Sequence, residues 1–218
     1  MEYPIKFEEF GPEFRKEYKV DEKPDQLCTL YHNILSKEEC NSILKNHEHK
    51  HSNIKDENIY NRSKFSVNDN ELSELIWSRI KHLVPEKLDG GKVYGLRTEW
   101  RHGRYLKDQY IFPHIDGRKT SNEQQNNKNI GSRFSLTVYL DDEFTGGEFV
   151  FVKGVHDDGR YDTIIKTIKP KAGMALLFYQ DVSEFSHATL PVKSGVRSIM
   201  RSDVLYDFEC KEDIKMNK

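Results

Sequence analysis

Three residues of the sequence could bind one metal ion together, and they lie in two separate segments. His114 and Asp116 are two positions apart at the end of a predicted strand. Because side chains at positions i and i+2 of a strand point to the same face, the imidazole and the carboxylate could chelate one ion. His187 follows another predicted strand and a short loop, so an opposed strand could bring it to the same place. Two histidines and one carboxylate leave coordination positions open, which is typical of Fe(II) sites that also bind O2.

A second group of potential metal ligands forms the pattern H-E-x-x-H at residues 47–51. On a helix, His47 and His51 would lie one turn apart and could bind zinc, with Glu48 as the general base of a peptidase. The longer form of this motif needs further glycine and histidine residues that the sequence lacks. Histidines are also common at a helix C-terminus, because cations suit that end of the helix dipole. A zinc metallopeptidase is therefore the alternative function of a different class.

Length and charge exclude several classes of protein. The 218 residues suffice for one domain with a substantial core. The 34 basic and 36 acidic residues give a net charge of -2, which argues against a nucleic-acid partner. No apolar run approaches the roughly 20 residues that cross a bilayer, so we expect no membrane segment. The charged N-terminus and three scattered cysteines predict an intracellular, cytoplasmic location without a secretory signal.

The first half of the sequence predicts two helices after an irregular N-terminal arm at residues 1–26. Ser36 and Glu39 form a capping box, in which hydroxyl and carboxylate satisfy free backbone N–H groups reciprocally, so a helix should begin there. A second helix should begin after Asn68 or Asp69 and end before Pro85, which gives helices over about residues 36–84. We expect one domain over residues 27–210 and a charged tail over 211–218.

Beyond the helices, the apolar period changes to two and short strands alternate with turn residues. Strands are predicted at residues 93–100, 104–112, 133–140, 148–153, 163–169, 174–179 and 196–206. This order predicts a mainly β fold, a double-stranded β-helix or jelly roll over about 93–206, with the N-terminal helices packed on one outer face. The segments 117–132 and 153–162 are expected to be loops that flank the mouth of the site and contact substrate.

Several ordered segments resemble the prolyl 4-hydroxylase-like branch of the Fe(II)/2-oxoglutarate-dependent dioxygenase superfamily. Tyr105 precedes the motif HIDG at residues 114–117 by nine positions. A Gly-Gly turn opens the segment GGEFVF at residues 146–151, as in the paired strands of that family. His187 resembles the distal histidine of the family, and Arg197 is a basic residue ten positions after it. The resemblance covers about residues 93–206.

The resemblance implies roles for particular residues. The iron ligands would be His114, Asp116 and His187, and the residues that bind 2-oxoglutarate would be Arg197, Tyr105, Ser135, Thr137 and Tyr139. Arg197 suits this role chemically, because its planar fork can bind a carboxylate through two hydrogen bonds. Many collagen-type members have lysine at this position, so arginine is a departure that preserves the charge. Arg201 and Asp203 share the strand face of Arg197 and could line the site or form a structural ion pair.

The activity implied by the resemblance is hydroxylation of a C–H bond with Fe(II), 2-oxoglutarate and O2, releasing succinate and CO2. Ascorbate is a further candidate cofactor. A prolyl or other residue of a protein or peptide is the favoured substrate, and a small molecule or a nucleic acid is the alternative. Nucleic-acid demethylases of the superfamily resemble a pattern with two arginines six positions apart, whereas Arg197 and Arg201 are four apart. A jelly roll that only binds is disfavoured because all three potential metal ligands are present.

Overall fold

The computed structural model describes residues 6–9, 27–51, 62–120 and 129–208. Helix α1 spans Lys37–His51, and α2 spans Asn70–Ile80 and continues into a short 3-10 turn at Lys81–Leu83. The strands, in chain order, are β1 Lys6–Glu9, β2 Cys28–His32, β3 Ser63–Asn68, β4 Lys87–Leu88, β5 Gly91–Leu96, β6 Glu99–Tyr105, β7 Ile111–His114, β8 Ile130–Tyr139, β9 Phe144–Gly146, β10 Phe149–Val155, β11 Tyr161–Ile168, β12 Ala175–Tyr179, β13 His187–Thr189, β14 Val192–Gly195 and β15 Arg197–Asp207.

Two curved antiparallel sheets build the predicted jelly roll. Within the described residues, the larger sheet has the order β1-β2-β12-β8-β15-β5-β4, and β6 pairs with β15 on one side and with β3 on the other. The smaller sheet has the order β11-β10-β13-β7, and β14 pairs with β9. Both faces of β8 are buried, with only Arg133 partly exposed along its length. A polar face on this strand therefore lies inside the protein rather than in water.

The helix starts follow the local sequence signals. The Ser36 hydroxyl accepts a hydrogen bond from the Glu39 backbone N–H at 3.2 Å, and the Glu39 carboxylate accepts one from the Ser36 N–H at 2.7 Å. This is the predicted capping box. Asp69 caps α2 by accepting a hydrogen bond from the Leu72 N–H at 2.9 Å. Both predicted helices are confirmed.

The helices contribute little to the core compared with the strands. Helix α1 buries only Cys40 fully, whereas α2 buries Leu72, Ile76 and Ile80. The main core is instead formed mostly by strand residues and includes large aromatic side chains such as Phe134 and Phe178. None of the described helices is long and apolar enough to cross a membrane. The expected packing of helices on one outer face is thus a minor part of the fold.

The predicted strand boundaries around the site residues were partly wrong. The predicted strand 93–100 is interrupted after Leu96, and β6 begins only at Glu99. The predicted strand 104–112 contains a turn, because the Gln109 N–H donates to the Leu106 carbonyl at 3.1 Å and Asp108 has a positive φ of 67°. The aromatic residues Tyr105, Tyr110 and Phe112 on both sides of this turn favoured a single strand, so the pattern alone did not reveal it.

Three other expectations about irregular segments need correction. The arm at 1–26 contains β1, which pairs with β2, while the rest of the arm and the tail 211–218 lie outside the described residues. The loop expected at 117–132 ends earlier, since β8 already begins at Ile130, and residues 121–128 are outside the described part. The segment 153–162 is mostly a hairpin between β10 and β11 rather than a free loop. In each case backbone pairing with another strand overrides the polar local sequence.

A buried histidine should make the stability of the protein depend on pH. His102 is 4% exposed, and its ring stacks on Phe65 with centroids 4.7 Å apart. Burial, together with the nearby His47, His51 and Lys50, lowers the pKa of His102 to about 3. The unfolded chain takes up a proton at about pH 6.5, so below that pH the unfolded state binds more protons than the folded state. Stability is therefore expected to fall as the pH drops from about 6.5 towards 4.

The variant His102→Phe should lose less unfolding free energy over that interval than the wild-type protein, as measured by urea denaturation. Phenylalanine keeps the contact with Phe65 but cannot take up a proton. The matched control is His82→Gln, which changes a histidine that is exposed in the folded protein and should retain the wild-type slope. Equal slopes for all three proteins would refute the role given to His102.

Candidate metal centre

The two candidate histidine ligands are direct neighbours across a pair of strands. His114 is the last residue of β7 and His187 is the first residue of β13, and the two are register partners. Side chains of directly opposite residues lie side by side on one face of a sheet. The ring centroids are accordingly 4.3 Å apart. The smaller sheet thus brings together two residues that are more than seventy positions apart in the sequence.

Asp116 completes a group of three potential ligands. It is 5% exposed and follows the end of β7. Its Oδ1 lies 3.7 Å from Nε2 of His114, and its Oδ2 lies 3.9 Å from Nε2 of His187. One potential ligand atom from each residue lies within 4.8 Å of the other two, and among the described residues this is the group of three that could hold a metal ion.

Hydrogen bonds to the backbone fix which nitrogen of each histidine is available. Nδ1 of His114 lies 2.9 Å from the Phe112 carbonyl, and Nδ1 of His187 lies 2.8 Å from the Phe185 carbonyl. A carbonyl can only accept, so Nδ1 carries the proton in each ring and the lone pair is on Nε2. Metal-binding histidines usually donate their other ring N–H in this way. The donor set therefore fits a divalent metal ion with open positions.

Buried surroundings keep the candidate ligands in the right charge state. Burial lowers the pKa of His187 to about 4, so this ring is neutral at pH 7. Phe149 and Phe178 pack against it, each with its ring centroid 4.9 Å away. Burial raises the pKa of Asp116, but Arg201, His187 and the Ser135 hydroxyl together hold it below its usual range. Asp116 is thus an anion at neutral pH.

Two side chains hold the Asp116 carboxylate in place. Nη1 of Arg201 lies 2.8 Å from its Oδ1, and the Ser135 hydroxyl donates to its Oδ2 at 2.7 Å. Ser135 also accepts a hydrogen bond from Gln180 at 3.0 Å. The sequence had associated Ser135 with 2-oxoglutarate, but its observed partner is the candidate metal ligand. The sequence analysis did not identify Gln180 as a residue that supports the site. Its position directly after the buried strand β12 could have indicated this role.

Arg197 lies on the same face of strand β15 as Arg201. It is a buried arginine whose set of hydrogen bonds is incomplete among the described residues. Arg197 is 1% exposed, and its Nε and Nη1 have no hydrogen-bond partner among the described residues. Its guanidinium carbon lies 4.7 Å from the ring centroid of Tyr105 and 5.6 Å from that of Tyr139. The hydroxyls of both tyrosines are buried and likewise lack a partner there. Buried cations are normally paired, so this cluster fits a ligand with a carboxylate.

The strand register explains why these residues meet. Arg197 of β15 pairs with Tyr105 of β6, and on the other side of β15 Ile199 pairs with Tyr139 of β8. Gly147 leaves room for the arginine, because a Cβ there would lie 2.9 Å from Arg197 Cδ. Thr137, the remaining predicted lining residue, is 4% exposed and pairs with Arg201.

Asp203 belongs to a structural ion cluster beside the site. Its carboxylate is fully buried and lies 2.8 Å from Nη2 of Arg101 and 3.5 Å from Nε of Arg97. Gln180 donates to its other oxygen at 2.9 Å. The sequence left open whether Arg201 and Asp203 line the site or form a structural ion pair. Arg201 lines the site, because it contacts Asp116. Asp203 forms structural ion pairs with Arg97 and Arg101.

The H-E-x-x-H segment at the end of α1 does not form a comparable centre. Nδ1 of His47 lies 3.0 Å from the Ile43 carbonyl, and Nδ1 of His51 lies 2.6 Å from the Ser63 hydroxyl. The Glu48 carboxylate is 2.6 Å from Nη1 of Arg104. Within the described residues, no third ligand joins these histidines. The zinc metallopeptidase alternative gains no support.

Comparisons with known proteins agree with this geometry. The sequence model of the 2OG-Fe(II) oxygenase superfamily matches residues 101–202, which include all three candidate ligands and Arg197. A search of curated protein sequences finds no significant match. Among solved structures, the fold is similar to that of the viral collagen prolyl hydroxylase of Paramecium bursaria Chlorella virus-1 in its 2OG complex. That match has a TM-score of 0.60 and 21% identity, and covers 82% of this chain and 96% of the viral chain.

A bacterial structure gives the same result. The Pseudomonas putida prolyl-4-hydroxylase has a TM-score of 0.55 and 15% identity, and the match covers 82% of this chain and 92% of that one. The fold and site thus define a jelly-roll oxidoreductase of the dioxygenase class. The segment that carries the site resembles the 2OG-Fe(II) oxygenase superfamily, whose members use Fe(II), 2-oxoglutarate and O2.

Proposed function

We propose that this enzyme binds Fe(II) through His114, Asp116 and His187, binds 2-oxoglutarate through Arg197, and hydroxylates a prolyl residue of a protein substrate. The observation that carries the proposal is the pairing of two features on one site. Two histidines present Nε2 towards a buried carboxylate, and Nε and Nη1 of the buried Arg197 have no hydrogen-bond partner among the described residues. Iron supplies open coordination positions and 2-oxoglutarate supplies two carboxylates, so each feature has a matching ligand.

When bound, iron and 2-oxoglutarate together activate O2 for C–H hydroxylation, with release of succinate and CO2. The protein positions these groups and excludes water. Arg197 would hold the distal carboxylate of 2-oxoglutarate, and the hydroxyls of Tyr105 and Tyr139 would donate hydrogen bonds to it. Burial raises the pKa of Tyr139, so this hydroxyl remains a donor at neutral pH. Ser135 and Arg201 hold the Asp116 carboxylate, so that it meets the metal in one orientation.

The prolyl substrate is the finer part of the proposal. The two similar structures described above are both prolyl hydroxylases by name, which supports a proline within a protein or peptide. The same chemistry on a small molecule or a nucleic acid is the alternative. We also propose that residues 27–210 form a single oxygenase domain, and that ascorbate supports turnover. An intracellular location agrees with Cys28 and Cys40, which are buried free thiols.

Turnover of proline peptides tests this function. The purified chain is incubated with Fe(II), 2-oxoglutarate, O2 and proline-containing peptides, and succinate and peptide mass are measured. We expect succinate in proportion to a mass increase of one oxygen atom, and no oxygen gain when alanine replaces proline. Succinate without oxygen gain by any proline peptide would contradict the prolyl substrate and leave the superfamily chemistry intact. Absence of succinate under all conditions would contradict both.

A further inference from the structure

A cavity rich in positive charge lies beside the candidate metal centre. It has a volume of about 360 Å³ and is formed where β3, β6 and β15 pair. Four basic side chains line it, namely Arg62, Lys64, Arg101 and Arg201, and no acidic residue is among the described residues that line it. Its volume is within the range of roughly 300–1,000 Å³ that is usual for ligand sites. None of the three candidate metal ligands lines it, and neither does Arg197.

The cavity continues the face on which the metal centre lies. Arg201 lines the cavity, and its Nη1 is also 2.8 Å from the Asp116 carboxylate. Across the sheet, Arg201 pairs with Arg101, and Arg101 pairs with Ser66 of β3. Lys64, two residues earlier on β3, lies in the neighbouring row. A molecule in the cavity would therefore extend from the metal towards β3.

The acidic groups near the cavity do not balance its positive charge. The fully buried Asp203 contacts Arg101 at 2.8 Å, but Arg97 at 3.5 Å and Lys119 at 3.9 Å share the same carboxylate oxygen. Arg201 faces Asp116, which a metal ion would also neutralise. The Nε groups of Arg101 and Arg201 are buried without a hydrogen-bond partner among the described residues. Burial of unpaired cationic groups is unfavourable unless a ligand completes them.

We infer that this cavity receives an acidic side chain of a polypeptide substrate, next to the residue that is hydroxylated. The inference rests on the proposed function and narrows its substrate class. Arginine forks bind carboxylates and phosphates alike, so the acidic group is an Asp or Glu carboxylate or a phosphorylated side chain. A nucleic acid fits less well, because its phosphate backbone requires an extended basic surface and the chain has a net charge of -2.

Lys64 is the best position for a test. It is exposed, whereas Arg101 and Arg201 contact the buried Asp203 and Asp116. The variant is Lys64→Glu, which reverses one charge of the cavity. The matched control is Lys92→Glu, because Lys92 is an exposed lysine of β5, which pairs with the other end of β15. Both variants change the net charge equally, so only the position differs.

The probes are fluorescent proline peptides that differ only beside the proline, where they carry glutamate, phosphoserine or glutamine. Binding is measured by anisotropy with the full chain, anaerobically, with Fe(II) and 2-oxoglutarate present. We expect glutamate or phosphoserine to lower Kd by about tenfold relative to glutamine, and the tighter of the two identifies the acidic group. Lys64→Glu should reduce this preference to about threefold or less, and Lys92→Glu should retain it.

Three results would overturn the inference. They are equal Kd values for charged and neutral peptides, a preference that Lys64→Glu leaves unchanged, and displacement of the peptide by single-stranded DNA at lower concentration than by unlabelled acidic peptide. If no peptide binds at all, the inference is overturned in the same way as by equal Kd values. Hydroxylation of the same peptides is followed separately by mass. Selective binding without hydroxylation would contradict the proposed function, whereas hydroxylation without charge selectivity would contradict only this inference.

Discussion

Replacing His187 with alanine is expected to abolish Fe(II) binding and to lower 2-oxoglutarate turnover by more than about 100-fold. Loss of groups that merely orient metal ligands already lowers affinity or activity by about 10–100-fold, so loss of a ligand should do more. The remaining His114 and Asp116 would hold the ion from one strand end only. Bound iron is measured by anaerobic equilibrium dialysis, and turnover by succinate formation.

The control for this prediction is His47→Ala, at the H-E-x-x-H segment. His47 is partly buried but far in sequence from the centre, and its Nδ1 only contacts the helix backbone. We expect iron binding and succinate formation within about twofold of the wild-type values. Thermal denaturation of both variants verifies that they are folded. If His47→Ala lost its activity while His187→Ala kept it, the metal centre would have been assigned to the wrong histidines.

The variant Arg197→Met should separate 2-oxoglutarate binding from stability. Removing one partner of a buried ion pair is unfavourable by about 3–5 kcal/mol, which corresponds to a loss of about 10²–10⁴-fold in affinity for 2-oxoglutarate. Without 2-oxoglutarate, the same cation is buried, and its Nε and Nη1 have no hydrogen-bond partner in the part of the chain that the structure describes. Methionine removes this unpaired charge, so the ligand-free variant should unfold at the same temperature as the wild-type protein or higher. Calorimetric titration and thermal denaturation measure the two effects.

The conservative variant Arg197→Lys tests the geometry of the same contact. Lysine keeps the charge but loses the planar fork, so we expect weaker binding of 2-oxoglutarate than in the wild type and tighter binding than in Arg197→Met. A structural arginine would behave differently. In that case Arg197→Met would unfold at a clearly lower temperature, and the affinity for 2-oxoglutarate of the folded fraction would be unchanged.

The sequence was sufficient to predict the central geometry because that geometry depends on local rules. The two-residue spacing at the end of β7 keeps His114 and Asp116 close together, and the capping box of Ser36 and Glu39 depends on four consecutive residues. The assignment of His187 and Arg197 to the site comes from the family resemblance, and the structure places them on β13 and β15, in different sheets. The metal-binding role of the three residues remains a prediction.

Contacts that depend on the register between distant strands could not be predicted in the same way. Arg201 reaches Asp116 only because β15 pairs with β8 in one particular register. The cationic cavity needs β3 beside β6, and the sequence had not predicted β3 as a strand. The turn that breaks the predicted strand 104–112 depends on the side chain of Gln109. Its amide oxygen accepts a hydrogen bond from the Leu106 N–H at 2.8 Å. Hydrophobic periodicity contains none of this information.

The most direct test of the metal centre is anaerobic addition of Fe(II) and 2-oxoglutarate to the purified protein, followed by absorption spectroscopy. If His114, Asp116 and His187 hold iron and Arg197 holds 2-oxoglutarate beside it, the charge-transfer band of the iron–2-oxoglutarate complex should appear and saturate at one equivalent of each. The band should be missing in His187→Ala and should require much more 2-oxoglutarate in Arg197→Met. A folded wild-type protein that shows no such band would contradict the proposed site.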